Sequence, residues 1–356
     1  MKPTMMTYIH EEQATLSGML ERYPHDLPEI KGKGSWLVLA TGSSINAIKS
    51  AKYYVENLAN VRVTVEEPFH FQHYEKMDAS TDLVMGVSQS GESTSTINAI
   101  KHIRKSFPIS TYGLTSKLTS ELANTVDHAI DIEIGEERVG YVTKGYVATI
   151  FKFMLLGVYT ARCNGLISEA QEEKELAKLA VAVKSIPEII DTTEVFFEKW
   201  KDELTASPRF TAIGYGPSVG VIKEMETKFA ETIRVPSQGV ELEAFMHGPY
   251  FEVNGNHRIF FLDTPGEARE RLLLLKAYEQ KYTDYIYTVK LGESDDARTL
   301  AINADVDIFI APLLMVIPFQ ILAHHIAEAK GNNLPQRIFT DFGVSVKSKT
   351  KPGDYA

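Results

Sequence analysis

A short segment rich in hydroxyl side chains follows a buried, apolar run of the sequence. It reads Ser88-Gln89-Ser90-Gly91-Glu92-Ser93-Thr94 and comes directly after Leu83-Val84-Met85-Gly86-Val87. Backbone N–H groups at the start of a helix bind anions with the help of the helix dipole, and hydroxyls add further donors. Because the segment contains no Lys or Arg, we expect it to bind a phosphate monoester through neutral donors. The alternative is a helix that is merely capped by serine.

Two strand–turn–helix units must position this segment. The run Trp36–Ala40 predicts a strand that ends in Thr41-Gly42-Ser43-Ser44, and a helix is predicted to follow from about Asn46. The Leu83–Val87 strand, the serine segment and a helix over Thr94–Arg104 repeat this order. Short apolar strands that alternate with helices predict an α/β fold with a doubly wound parallel sheet.

The second half of the sequence repeats the first. Phe210–Gly214 and Ile259–Leu262 predict strands that precede a turn and a helix, at an offset of about 175 positions from their counterparts. A further pair of predicted strands, Ile130–Ile134 and Val306–Ile310, has nearly the same offset. We interpret this as an internal duplication. The predicted parts are an N-terminal helix (1–25), a first α/β domain (26–165), a helical connector (166–196), a second α/β domain (197–340) and a tail (341–356).

Composition limits the class of protein. The 356 residues are 44% hydrophobic and 24% charged, which is typical of a globular protein. The net charge of -10 argues against nucleic-acid or anionic-membrane partners. The single cysteine, Cys163, excludes an intramolecular disulfide framework or a cysteine zinc cluster and fits a reducing compartment. Without a signal-like N-terminus or a run of 18 apolar residues, we expect a cytoplasmic protein.

Taken in order, these motifs resemble the sugar isomerase (SIS) domain. The serine segment and Thr41–Ser44 match its first two strand–turn motifs, and two tandem copies resemble the isomerase half of glucosamine–fructose-6-phosphate aminotransferase. The resemblance continues at Glu226–Glu231, Glu243–Pro249 and Pro318–Gly331, and covers nearly the whole chain after residue 30. It implies two tandem SIS domains with a flavodoxin-like sandwich fold, and a phosphosugar enzyme without cofactor or metal.

Residue by residue, the resemblance implies a sugar-phosphate pocket and a catalytic group. The implied pocket residues are Gly42, Ser44, Ser88, Gln89, Ser90 and Ser93. Glu231 is implied as the carboxylate that moves a proton between C1 and C2, with Lys228 one helical turn earlier holding it ionised. His247 is implied as the ring-opening histidine, which in the family reaches across a dimer interface. Without the resemblance, Glu231 and Lys228 would be interpreted as a solvated pair and His247 as a surface residue.

Two other histidines are candidate metal ligands, but their adjacent positions in the sequence argue against a shared metal ion. His324 and His325 are adjacent in an apolar segment predicted to be helical. Because adjacent side chains on a helix point in different directions, we expect them not to share a metal ion and to have structural roles.

The sequence departs from the family in three places. The chain begins at Met1 without the glutaminase domain of the aminotransferase, so we expect no ammonia release from glutamine by that route. No lysine lies between Pro335 and Val346, where the aminotransferase has its Schiff-base lysine. Lys347 or Lys349 of the tail could replace it, but we expect that neither does. Val142 stands where the family has a serine before Thr143-Lys144, which removes one hydrogen bond from the pocket.

A substrate that already carries its amine would need neither ammonia nor that lysine. We therefore expect a deglycase that splits a fructosamine- or glucoselysine-type 6-phosphate into a hexose 6-phosphate and an amine or amino acid. The segment Pro3–Ile9 is also similar to bacterial deglycases of this kind. Two alternatives stay open: an aldose–ketose isomerase or deaminase of phosphosugars or amino sugars, which would use the same Glu231 and His247, and a non-catalytic sugar-phosphate sensor. We expect a small-molecule sugar phosphate and a second copy of the chain as the partners.

Overall fold

The computed structural model describes residues 2–351, which fall into two compact units. The first unit comprises residues 14–177 together with the tail from residue 337. The second unit comprises residues 178–336 together with the first residues of the chain, up to 13. Two helices, α1 (Met5–Arg22) and α7 (Glu169–Thr205), run across the division, so that each contributes residues to both units.

The first unit contains a five-stranded parallel sheet with helices between the strands. The three central strands are short runs whose side chains are mostly buried, which is the pattern of a sheet covered on both faces, whereas the two edge strands are more exposed. The strands are β1 (Ser35–Ala40), β2 (Arg62–Glu66), β3 (Leu83–Val87), β4 (Thr111–Thr115) and β5 (His128–Asp131). The helices are α2 (Ser43–Ala59), α3 (Pro68–Tyr74), α4 (Thr94–Ser106), α5 (Glu121–Thr125), α6 (Lys144–Cys163) and, in the tail, α13 (Phe342–Ser345).

The second unit is built in the same way. Its strands are β6 (Phe210–Gly214), β7 (Ser237–Glu241), β8 (Arg258–Asp263), β9 (Ile286–Leu291) and β10 (Thr299–Ile302). Its α-helices are α8 (Val219–Thr232), α9 (Leu242–Met246), α10 (Arg269–Glu279), α11 (Ala311–Met315) and α12 (Ile317–Ala329), and 3₁₀ turns lie at Gly216–Ser218 and Pro249–Glu252.

The two sheets have the same topology. The spatial order is β2-β1-β3-β4-β5 in the first and β7-β6-β8-β9-β10 in the second, with every adjacent pair parallel. Taken in chain order within each sheet, both read 2-1-3-4-5, which is a flavodoxin-like doubly wound order. The predicted fold class is therefore confirmed, and the repeated order agrees with the duplication inferred from the sequence.

One predicted strand, the second of the pair with the nearly constant offset, is wrong. The segment Val306–Ile310 does not form a strand; the last strand of the second sheet lies earlier, at Thr299–Ile302. The reason is local, because the Asp307 carboxylate accepts hydrogen bonds from the N–H groups of Phe309 and Ile310. This side-chain turn starts the helical segment that leads into α11, so the apolar residues here serve a helix.

The most apolar helical stretch of the chain belongs to the second unit. Residues Ala311–Ala329, which include α11 and α12, are long and apolar enough to cross a membrane by length and composition, and 89% of the stretch is buried. Burial of this degree is what the core helix of a folded unit shows. Phe319, on α12, packs edge-on against Phe229 and Phe260, so this helix is part of the aromatic core beside the second sheet.

Candidate active site

The serine segment lies where the strand order of the first sheet reverses. Strands β1 and β3 are neighbours, and Ala40 is aligned with Val87, so both strands end at the same level. Gly42 and Ser44 begin α2 after β1, and Ser88–Ser93, which we call the serine loop, leads from β3 into α4. Open α/β sheets bind ligands at this point of reversal. The structure thus brings together the pocket residues that the sequence predicted in this unit.

The serine loop presents unused backbone donors. The carbonyl oxygen of Gln89 accepts three hydrogen bonds from the end of β4: from Thr115 Oγ1 (3.1 Å), Ser116 Oγ (2.8 Å) and Ser116 N (2.9 Å). In a trans peptide the next N–H, that of Ser90, points the opposite way. Within residues 2–351, no acceptor is found for the backbone N–H of Gln89 or of Ser90. Both donors are therefore available to an anion.

Gly91 is the residue that allows this shape. Its φ is +67°, and a Cβ there would lie 2.0 Å from Ser120 Oγ and 2.2 Å from Ser120 Cβ. Ser120 is itself fixed, because its hydroxyl accepts a hydrogen bond from Ala123 N at the start of α5. Only glycine fits this position without displacing the loop or the α5 cap.

The serine hydroxyls are not used as simple helix caps. Ser93 is the residue before α4, but its side chain makes no capping hydrogen bond to the helix backbone. Instead, Ser93 Oγ accepts a hydrogen bond from Thr96 Oγ1 at 3.1 Å. Ser88 and Ser93 are buried, whereas Ser90 is exposed. The arrangement favours a ligand site over the capped-helix alternative.

The tail reaches the serine loop, which differs from what the sequence suggested. Thr94 N donates to Ser348 O (3.2 Å), Thr350 N donates to Glu92 O (3.0 Å), and Lys349 Nζ lies 3.4 Å from Ser90 Oγ. Desolvation lowers the pKa of Lys349, although the residue is exposed as a whole and the nearby Glu92 acts in the opposite direction. Lys349, one of the two tail lysines that the sequence left open, therefore lies beside the phosphate-binding candidates.

A partly buried carboxylate beside the serine loop was not predicted from the sequence. Glu137 accepts hydrogen bonds from Gln89 Nε2 (2.7 Å), Thr143 N (2.9 Å) and Gly145 N (3.0 Å). Burial raises the pKa of Glu137, while the three donors and the nearby Lys144 act in the opposite direction. The only sequence signal was an acidic residue seven positions before Lys144, within a charged stretch that is typical of a solvated loop.

In the second unit, Glu231 and Lys228 form an ion pair in which the lysine is buried and the glutamate is partly exposed. Lys228 is 1% exposed, and its Nζ lies 2.5 Å from Glu231 Oε2 and 3.7 Å from Glu224 Oε1. The side chain of Glu231 is 41% exposed. Within residues 2–351, Glu231 Oε1 has no hydrogen-bond partner. The buried ammonium therefore orients one carboxylate oxygen and leaves the other open, an arrangement suited to accepting a proton.

His247 lies at the surface at the end of α9. Its side chain is 73% exposed, and its Nε2 is 3.1 Å from Glu243 Oε1. Glu243 is also bound by Arg271, with Nε 2.8 Å from Oε2. The hydrogen bond with His247, followed by that with Arg271, lowers the pKa of Glu243. A carboxylate that stays ionised holds the imidazole in one orientation, which is the usual support of an acid–base histidine.

The adjacent histidines meet, contrary to the expectation from helix geometry. His324 Nδ1 and His325 Nδ1 are 3.3 Å apart, and one ligand atom each of His324, His325 and Glu328 lie within 4.8 Å of one another. Glu194 Oε1 lies 2.8 Å from His325 Nε2, and the His325 ring also stacks on Phe197. These three residues could hold a metal ion. Burial lowers the pKa of His324 to about 4, so this ring is neutral at neutral pH.

Comparison with known proteins agrees with the predicted resemblance. The model of the SIS domain matches residues 29–159. A glutamine–fructose-6-phosphate aminotransferase (isomerizing) of Gloeobacter violaceus is 29% identical over 348 residues, which cover 93% of this chain and 57% of the relative. The chain spans about half the length of the curated relatives that it matches.

Solved structures agree with the fold. A provisionally assigned phosphosugar isomerase of Clostridium difficile has a TM-score of 0.88 at 25% identity, with 99% of this chain and 100% of that chain covered. The C-terminal domain of glucosamine-fructose-6-phosphate aminotransferase from Francisella tularensis has a TM-score of 0.81 at 19% identity, with 93% and 96% covered. Residues 29–159 therefore match the SIS domain, and the predicted resemblance to the isomerase half of the aminotransferase is confirmed.

Proposed function

We propose that the protein is a sugar-phosphate enzyme, and specifically a deglycase. It would split a fructosamine- or glucoselysine-type 6-phosphate into a hexose 6-phosphate and an amine or amino acid. The observation that carries the proposal is the buried Lys228 that orients Glu231 and leaves one carboxylate oxygen open. A purely phosphate-binding sensor would have no use for this pair.

The serine loop is proposed to bind the phosphate. The backbone N–H groups of Gln89 and Ser90 have no acceptor within residues 2–351, and the positive end of the α4 dipole adds to the attraction for an anion. The hydroxyls of Ser44, Ser88 and Ser93 would donate further hydrogen bonds. Since none of these groups is charged, the binding energy comes from convergent neutral donors, with Lys349 as the nearby cation.

Glu231 is proposed to move the proton. Glu231 Oε1 would remove the proton from the substrate carbon next to the carbonyl, which leaves an enaminol. Return of this proton to the neighbouring carbon would give an imine at the sugar terminus. Water would then add to the imine carbon, and the carbon–nitrogen bond would break, which releases the free amine and the hexose 6-phosphate. The electrons stay balanced without an oxidant or reductant.

His247 is proposed to open the sugar ring before proton transfer. General acid–base catalysis by a positioned histidine contributes about 10²–10⁴-fold. The side chain is 73% exposed, so it is free to serve a substrate beyond its own surface. We propose a homodimer in which His247 of the partner subunit acts on the bound sugar.

A second candidate is favoured by the position of Lys349. An amine with a lowered pKa beside the serine loop is suited to form an imine with a ketose phosphate. The same Glu231 would then serve an isomerase or deaminase of phosphosugars or amino sugars. The deglycase needs no such covalent bond, because its substrate already contains the nitrogen.

A substrate panel tests the proposal. Purified protein is incubated with several glycated amino acid 6-phosphates, with fructose 6-phosphate and with glucosamine 6-phosphate, and the released hexose 6-phosphate, amine and ammonia are measured. Release of an amino acid and a hexose 6-phosphate in equal amounts, lost in Glu231→Gln, supports the deglycase. Turnover of the simple sugar phosphates alone would refute it in favour of the isomerase or deaminase, and no turnover despite sugar-phosphate binding would favour a sensor.

A further inference from the structure

Glu137 connects the serine loop to the start of a core helix. Its Oε2 accepts hydrogen bonds from Gln89 Nε2 and from Gly145 N, and its Oε1 accepts one from Thr143 N. The first turn of α6 therefore directs its backbone donors at a side chain of the same unit. A carboxylate at this end of a helix is stabilised by the dipole.

The contact depends on a glycine at the start of α6. A Cβ at Gly145 would lie 2.4 Å from Gln89 Nε2 and 2.7 Å from Glu137 Oε2. Any larger residue would push the Gln89 amide away from the carboxylate. The absence of a side chain at position 145 therefore leaves room for the Gln89–Glu137 hydrogen bond.

Gln89 is held at both ends as a result. Its carbonyl accepts the three hydrogen bonds from Thr115 and Ser116, and its side-chain amide donates to Glu137. These restraints fix the peptide between Gln89 and Ser90, whose N–H is one of the donors without an acceptor within residues 2–351. Loss of the side-chain restraint would leave the peptide held by its carbonyl alone, so the direction of that donor would be less well fixed.

We propose that Glu137 is a positioning residue of the phosphate site, acting through Gln89. The inference rests on the proposed function only in that the serine loop binds a phosphate ester. Three donors converge on two carboxylate oxygens, so glutamine cannot replace Glu137: it has one oxygen, and its NH₂ group would face a donor. Glu136, the preceding residue, pairs with Arg138 at the surface and is the matched control.

The test is a double-mutant cycle on ligand affinity. Calorimetry gives the Kd of glucose 6-phosphate for the wild type, Glu137→Gln, Gln89→Ala and the double variant, with Glu136→Gln as control. A hydrogen bond to a charged group corresponds to about tenfold to hundredfold in affinity. We expect a loss of that size in Glu137→Gln, no change in Glu136→Gln, and no further loss in the double variant beyond Gln89→Ala alone.

Each other outcome has a distinct meaning. If the wild type binds neither glucose 6-phosphate nor inorganic phosphate, the proposed function fails. If the wild type binds but Glu137→Gln binds equally well, or if the two losses add, Glu137 is only a helix cap and the inference is overturned. Should Glu137→Gln fail to fold, Gly145→Ala provides the second route, because its methyl group displaces Gln89 while the carboxylate remains. Wild-type affinity in folded Gly145→Ala would also overturn the inference.

Discussion

Replacement of Gly91 by alanine is expected to damage the serine loop more than the fold. The added methyl group meets two penalties at one position. The backbone φ of +67° is unfavourable for an L-residue, which costs about 1–2 kcal/mol. The new Cβ would also lie 2.0 Å from Ser120 Oγ and 2.8 Å from Thr115 Oγ1, so the loop or its neighbours must move.

The size of the second penalty follows from what Ser120 does. Displacing this side chain breaks the cap of α5, which costs about 1 kcal/mol. Overpacking of a filled site costs about 1–3 kcal/mol, part of which is the same displacement. We therefore expect Gly91→Ala to lower the free energy of unfolding by about 2–5 kcal/mol in total. Movement of the loop would also shift the Ser90 N–H and weaken phosphate binding.

Gly165 provides the matched control. Its φ is +68°, but a Cβ there meets no atom within 4 Å, and it lies outside the proposed pocket. Gly165→Ala should therefore show only the backbone penalty of about 1–2 kcal/mol. Urea denaturation measures the stability of both variants, and calorimetry with glucose 6-phosphate measures their affinity. Addition of Ser120→Gly to Gly91→Ala should recover part of the affinity. Equal effects of Gly91→Ala and Gly165→Ala, or no recovery with Ser120→Gly, would refute the steric argument.

Four further outcomes are expected. Glu231→Gln should abolish turnover while calorimetry finds the affinity for glucose 6-phosphate nearly unchanged, because the serine loop belongs to the other unit; near wild-type turnover would remove Glu231 from the role of base. Mixed dimers of Glu231→Gln with His247→Ala subunits should regain part of the activity if His247 of the partner subunit completes the site, and verified heterodimers without activity would place both residues in one chain. If the deglycase proposal is right, Lys349→Ala should keep most of its turnover and borohydride should trap no adduct, whereas a reduced hexose-phosphate adduct on Lys349 in the mass spectrum would favour the second candidate. Burial lowers the pKa of His257 to about 4, from an ordinary value near 6.5, so the unfolded state binds the proton more readily. Stability should therefore fall as pH drops from about 6.5 to about 4, by up to about 3 kcal/mol from this residue, and the fall measured by urea denaturation should be smaller in His257→Gln.

The fold was largely predictable because its elements are encoded locally. Each core strand of the first sheet is a short apolar run followed by Gly- and Ser-containing turns, and the same order returns in the second half. The prediction failed at Val306–Ile310, where an apolar run of strand length was interpreted without its flanking turn chemistry. The Asp307 carboxylate decides that segment, and a side-chain turn is harder to recognise than a hydrophobic period.

The candidate site was predictable only where function and local motif coincide. The serine loop, Glu231 and His247 stand in continuous motifs, so a resemblance identifies them. Glu137 and Lys349 do not, because they reach the loop from 48 and 259 positions away, respectively, through contacts that only the folded chain defines. The contact between His324 and His325 was also not predictable from the local sequence. An ideal helix separates their side chains, but in the fold their Nδ1 atoms approach each other while Glu194 binds His325 Nε2.

The position of Lys349 changes how the missing lysine should be interpreted. No lysine lies between Pro335 and Val346, and this absence favoured a substrate that supplies its own nitrogen. That absence still holds in the structure, but the amine of Lys349, with its lowered pKa, lies beside Ser90. A lysine so placed has two chemically distinct uses: charged, it compensates the substrate phosphate, and neutral, it attacks a carbonyl. The charged lysine raises affinity without a covalent intermediate, whereas the neutral lysine forms one. The two candidate functions are therefore separated by whether a covalent bond to Lys349 forms, and not by the position of this residue.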